Sequence, residues 1–209
     1  MVGPRCWSNS AQPSSANTSG QAEAEAGCAQ KQLKLFEKDA PGDSIQVDVK
    51  VVKVKRERVF QYTALDDCTR LRPLRLYARQ NQHSSIHFLG ELRRALPFPI
   101  KKLQCDNGSE FPIAFKLAVE AAGIKHRYIK PRRPQQNGKV ERSHRVDGEE
   151  FWSRHEFPSV AAAESSLAVW ERQYNHERFS MALHGRTPME KLRAVLPGVV
   201  LPDNQQHVQ

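Results

Sequence analysis

The apolar positions of the chain change their period several times, and each change marks an element. Between residues 45 and 54, Ile45, Val47, Val49 and Val51 alternate with Gln46, Asp48 and Lys50. That period of two belongs to a strand, whose successive side chains leave opposite faces. The charged run 55–58 makes a turn and residues 59–65 form a second strand. Residues 71–78 form a third, pushed toward an edge by Pro73, which has no N–H for a ladder. Short connections make the three an antiparallel meander. From 83 to 96 the spacing lengthens to that of a helix, with Ile86, Leu89, Leu92 and Leu96 on one side. A short strand over 100–105 follows, then a helix over 111–122 ended by Gly123, then a short strand over 124–129. A loop runs from Pro131 to Asn137, a long helix from 138 to 155, and another from Pro158 to about Tyr174. The order βββ-α-β-α-β-α-α suits a mixed sheet covered by helices.

Residues 1–40 lack any such pattern. They are rich in Ser, Ala, Gln and Gly and nearly free of large apolar side chains, so they cannot bury enough surface to offset ordering and are expected to be disordered. That leaves a core over residues 41–193 and a loose tail over 194–209. A chain of 209 residues with 39% hydrophobic and 26% charged positions holds one ordinary globular domain. No apolar run approaches the roughly 20 residues a membrane span needs, and no secretory pattern opens the chain. A cytoplasmic, nucleoid-associated protein with no membrane partner is expected. The four cysteines form no C-x-x-C pair, and Cys68 and Cys105, beside apolar runs, read as small buried residues.

Charge narrows the partner. Lys and Arg number 32 against 23 acids, a net +9, which favours a polyanion. Residues 125–145 alone carry eight basic residues and one acid. Two further basic groups, Lys50, Lys53, Lys55, Arg56 and Arg58, and Arg70, Arg72, Arg75 and Arg79, read equally well as solvated surface.

Two acids stand where a fold would hold them rigidly. Asp48 lies in the middle of an apolar strand, and Asp106 ends a short strand just before the sharp Asn107-Gly108 turn. A third, Glu141, opens the long helix inside the most basic stretch. Carboxylates fixed in this way suit hard divalent cations that leave positions open for phosphate oxygens. A strand aspartate can equally serve a local hydrogen-bond network, and spacing alone leaves both readings open.

The motifs around these acids resemble the integrase core of the DDE superfamily, as found in bacterial insertion-sequence transposases. QCDNGSEF (104–111) is similar to the family's second-aspartate motif, and YIKPRRPQQNGKVERSHR (128–145) to its glutamate motif. Asp106 and Glu141 are 35 positions apart (141 − 106), the family's signature separation. IQVDVK (45–50) matches the first-aspartate strand, YTALDDCTR (62–70) the second strand, and YNHERFSMALHGRTPMEKL (174–192) the C-terminal motif. The likeness spans about residues 34–193. One departure is Arg178-Phe179-Ser180 where many relatives carry Arg-Pro-His.

The resemblance implies an RNase H-like α/β fold with a mixed five-stranded sheet flanked by helices. It implies that Asp48, Asp106 and Glu141 are catalytic and hold two Mg²⁺ or Mn²⁺ ions, while Asp66 and Asp67 are structural. Asn107 and Gly108 would shape the turn that aims Asp106. Lys139, Arg142, Arg145, Arg132, Arg133 and Asn137 would contact double-stranded DNA at element ends and target. Arg145, four residues after Glu141, would grip phosphate or simply pair with that glutamate. His126 and His144 are expected at the surface or on DNA, not as general bases, and Phe151, Trp152 and Trp170 in the core. The implied activity is phosphodiester hydrolysis and strand transfer during transposition, by a homo-multimer on DNA. Relatives usually carry helix-turn-helix domains ahead of the core. The expectation here is a fragment, a mis-started frame or one part of a split element, with little recognition of specific ends. A truncated, non-catalytic DNA-binding remnant is the alternative, followed by a nuclease of RNA–DNA hybrids and a purely structural nucleic-acid-binding domain.

Overall fold

A computed structural model describes residues 38–129 and 137–199. The N-terminal segment expected to be disordered lies outside the described residues up to position 37, as do Arg132, Arg133, most of the loop from Pro131 to Asn137, and the tail beyond 199.

Strands β1 (Ile45–Val54), β2 (Glu57–Asp66) and β3 (Leu74–Tyr77) form the expected antiparallel meander. The β1–β2 turn is tight, with Lys55 in the left-handed region at φ 53°. β3 begins only after Pro73, so it is shorter than the apolar run suggested; the Pro73 carbonyl still accepts from the Ala64 N–H. Strands β4 (Lys102–Cys105) and β5 (Lys125–Tyr128) add on parallel to β1, giving the order β3-β2-β1-β4-β5.

Helix α1 (Gln82–Ala95) starts where the Asn81 side chain accepts from the Ser84 N–H. Helix α2 (Ile113–Ala121) ends at Gly123, whose φ of 75° only glycine adopts without strain. Helix α3 (Gly138–Val146) stops nine residues short of the expected end, because Asp147–Trp152 continues as a π-helical turn. Helix α4 (Val160–His176) is capped by Ser159, so Pro158 precedes the cap rather than opening the helix. The sequence pattern gave no warning of helix α5 (Pro188–Val195), although its start is well marked. The Thr187 hydroxyl and the Glu190 carboxylate cap each other's backbone N–H groups, with Pro188 at the first helical position.

The sheet is covered on both faces. On one, Ile45, Val47, Tyr62, Ala64 and Leu103 pack with Phe88 and Leu92 of α1, Phe115 and Val119 of α2, and Leu192 of α5. On the other, Val52, Val54, Val59, Leu74 and Leu76 pack with Phe151 and with Ala163 and Leu167 of α4, and Trp152 and Trp170 lean against them. The three aromatic residues are thus core, as expected. Cys68 and Cys105 are buried, as small apolar side chains are.

Candidate active site

Three side chains on one face of β1 meet α3 in succession. Gln46, Asp48 and Lys50 are two apart and so project to the same side. The Gln46 side-chain oxygen accepts from the Val140 N–H at 3.3 Å, and its Nε2 donates to Asp67 at 2.7 Å. One turn further along α3, the His144 ring stands against Asp48, with Nδ1 3.3 Å from Oδ2. Lys50 completes the row by donating from Nζ to the His144 backbone oxygen at 2.9 Å. Burial holds the Lys50 ammonium below the usual lysine range, against the pull of Asp147. Gly148 makes room for it, since a Cβ there would lie 3.1 Å from Lys50 Nζ.

Asp106 arrives from the neighbouring strand. Val47 lies opposite Cys105 in the parallel β1–β4 pair, so the next residues, Asp48 and Asp106, reach the same level. This is the carboxyl end of β4, where open α/β sheets bind their ligands. The Gly108 N–H donates to Asp106 Oδ1 at 3.1 Å and fixes the turn. Any side chain at 108 would meet the carboxylate of Glu110, itself buried. Burial pushes the Asp106 carboxyl above the ordinary aspartate range. The Gly108 hydrogen bond opposes the shift, and the negative charges of Asp48 and Glu110 add to it.

Two neighbouring like charges, one of them desolvated, are what a divalent cation relieves, and carboxylate oxygens are the donors a hard cation chooses. Asp48 and Asp106 therefore fit such an ion. Glu141 is not gathered with them. It is exposed on the first turn of α3 and lines an outward cleft of about 600 Å³ with Arg142, Arg145, Glu149 and Arg178. Among the described residues no three His, Cys, Asp or Glu side chains converge to hold one ion.

The other expected site residues divide. Arg142 and Arg145 are exposed on the cleft with Glu141. Lys139 faces inward, where its ammonium pairs with Asp67 at 3.0 Å. Asn137 is buried at the start of α3 and its backbone oxygen accepts from the Glu141 N–H. Asp66 is structural, as expected. Its carboxylate accepts from the N–H groups of Gly42, Cys68 and Thr69 and from the Thr69 hydroxyl, which closes the turn after β2.

Both histidines correct the expectation of a surface position. His126 is half-buried, edge-on to Phe115 and Tyr128, and burial lowers its pKa. His144 is buried against Asp48 because α3 turns its Val140, Ser143, His144 and Asp147 side toward the sheet. The third basic group is also not a basic face. Arg72 is fully buried, and Arg75 is held by Glu91 and Glu171.

Sequence reasoning missed the network behind α3. Arg72 pairs with Asp147 and donates to the Ser143 hydroxyl, each at 2.7 Å, with its guanidinium 3.5 Å over the Tyr174 ring. Asp147 also accepts from Gln61 and from the Trp170 indole. The polar 143-144-147 stripe was the available signal, since positions three and four apart share one helix face.

The description "Integrase core domain" fits two overlapping stretches, residues 38–134 and residues 122–188. The chain belongs to the integrase core family. An uncharacterized insertion-element protein of Xanthomonas euvesicatoria is 35% identical to this integrase core over 79 residues, which are 37% of the chain and 23% of that protein. Among solved structures, the simian T-cell lymphotropic virus intasome in complex with a PP2A regulatory subunit matches with a TM-score of 0.64 at 18% identity, over 83% of this chain and 62% of that one. The HTLV-2 integrase catalytic core domain in complex with magnesium matches with a TM-score of 0.57 at 16% identity, over 73% of this chain and 97% of that one. The integrase core thus spans less than a quarter of the insertion-element protein within the match. It has the RNase H-like fold, with the mixed five-stranded sheet the motifs implied. No described helix is long and apolar enough to cross a membrane.

Proposed function

We propose that this integrase core is the catalytic part of a DNA transposase, hydrolysing a phosphodiester at an element end and joining the freed 3′-hydroxyl to target DNA. The observation that carries the reading is the placement of Asp48 and Asp106 at one level on neighbouring parallel strands, with α3 packed over Asp48. Asp48 and Asp106 would hold the divalent ions. Glu141, one turn before His144 on α3, would be the third ligand and would have to swing in from the outer cleft. Mg²⁺ or Mn²⁺ in such a site activates the attacking oxygen and neutralises charge on the leaving oxygen.

Arg142 and Arg145 would hold the DNA phosphates beside Glu141, and the net charge of +9 would draw the duplex in. Arg132 and Arg133 would add DNA contacts of their own, whereas Asn137 is buried and Lys139 helps seat the start of α3 through Asp67. In hydrolysis water forms the new P–O bond and the 3′-oxygen leaves with a proton. In joining, the 3′-hydroxyl forms one P–O bond as another breaks, so no nucleotide cofactor is needed. Work on two ends calls for a multimer. The outward position of Glu141 favours a second reading, a DNA-binding domain without chemistry.

Mn²⁺-dependent nicking and strand transfer on a short duplex at low salt, wild type against Glu141→Gln, separates the two. Activity lost in the variant supports the enzyme and its third ligand. Mn²⁺ binding without activity in either protein supports the second reading. Activity untouched by the substitution removes Glu141 from the site.

A further inference from the structure

We propose that His144 is a positioning residue for Asp48: through Nδ1 it holds one carboxylate oxygen, fixing the direction in which the other meets a divalent cation. The inference rests on the transposase reading above and deepens it. His144 is only 9% exposed, and Nδ1 stands 3.3 Å from Asp48 Oδ2. Holding an ionised carboxylate, which only accepts, requires the ring proton on Nδ1. Nε2 is buried and has no protein partner among the described residues, so Asp48 is the ring's one described polar contact.

The ring is itself held from behind. Lys50 donates to the His144 backbone oxygen, and Gly148 leaves the space its ammonium occupies. On the same strand face Gln46 accepts from the Val140 N–H. Helix α3 is therefore pinned to β1 on both sides of the Asp48 contact, and the imidazole cannot drift along the carboxylate. Outer groups that orient a ligand in this way raise metal affinity about 10–100-fold.

Two measurements test the proposal. The first is the tautomer of His144 in the metal-free protein, read from ¹⁵N–¹H correlations and assigned by loss of the signals in His144→Asn. A proton on Nδ1 whose resonance moves in Asp48→Asn is expected; a proton on Nε2 alone overturns the proposal. The second is Mn²⁺ affinity, with thermal melting as the control for folding. His144→Ala should bind Mn²⁺ at least about tenfold more weakly while melting close to wild type. His144→Asn, whose amide can donate from a similar place, should recover most of the loss. Equal affinity in all three proteins overturns the inference and leaves the transposase reading standing. A wild type that binds no Mn²⁺ removes that reading, and the inference with it. If His144→Ala does not fold, affinity in His144→Asn decides: near wild type it supports the proposal, and an alanine-like loss of tenfold or more overturns it.

Discussion

Arg72 and Asp147 form an ion pair at 2.7 Å with both side chains fully shielded from solvent. They join β3's leading edge to the end of α3. The aspartate is further saturated by Gln61 and Trp170, and the guanidinium lies on Tyr174. Taking two charges out of water costs several kcal/mol for each ion, so removing one partner does more harm than removing both. Asp147→Asn should cost about 3–5 kcal/mol in urea unfolding. Arg72→Met with Asp147→Leu should cost less than that single change. A double variant less stable than Asp147→Asn would show that the network, not the lone charge, dominates.

Glu150 gives the fold an acid-sensitive contact. Two hydrogen bonds from Arg178, at 2.6 and 2.8 Å, hold its carboxyl below the usual glutamate range. A carboxyl depressed in the folded state stabilises above its unfolded pKa, and that contribution is lost as pH falls through the folded pKa. Both side chains are about one third exposed, so solvent and salt weaken the effect. Glu150→Gln should flatten the loss of melting temperature on acidification below the ordinary glutamate range. The difference from wild type should shrink in 1 M salt. An unchanged slope would mean the pair contributes nothing measurable.

The Asn107-Gly108 turn offers a test with little effect on the core. In Gly108→Ala the added Cβ would fall 2.5–2.7 Å from the Glu110 carboxylate. Either Glu110 leaves its buried seat or the turn that donates to Asp106 opens. Mn²⁺ affinity should drop more than thermal stability does. A variant with wild-type affinity would show that the turn has slack.

DNA contact by α3 should appear in salt dependence. Each phosphate neutralised by a side chain contributes close to one unit of slope in log K against log salt. Arg145→Ala should reduce the slope by about one for any duplex sequence. Lys139→Ala should leave the slope unchanged, because its ammonium already serves Asp67. The reverse pattern would move the DNA surface to the other side of the helix.

Much of the fold was legible because its strands and first helices follow simple periods. β1, β2, α1 and α2 lie where alternation or helical spacing put them, within a few residues. Illegible elements had other causes. α5 is eight residues long, too short for periodicity to show, and its capping box is a purely local signal. The π-helical turn after α3 answers to burial of Asp147, which tertiary contacts decide. Arg72 looked like one of a row of surface arginines, since composition does not reveal a buried partner 75 residues away (147 − 72). The places of Asp48 within β1 and of Asp106 just past β4 were readable from alternation and strand end. The environment of His144 was not, because the helix face it belongs to is polar for a reason only packing supplies.

The row Gln46, Asp48 and Lys50 sets a rule for what length changes β1 can accept. A single residue inserted or deleted ahead of Lys50 would exchange the strand's two faces: the amide, the carboxylate and the ammonium would turn toward Phe88 and Phe115, and valines would face α3. Changes of two would restore the faces but slide the acid past Cys105 and out of level with Asp106. Between Ile45 and Lys50 the strand tolerates neither odd nor even steps. Past Val54, at the exposed Lys55-Arg56 turn, added length shifts no side chain in the site. Lineages of this domain should therefore vary in length at the hairpin tip and keep the stretch before it at constant length.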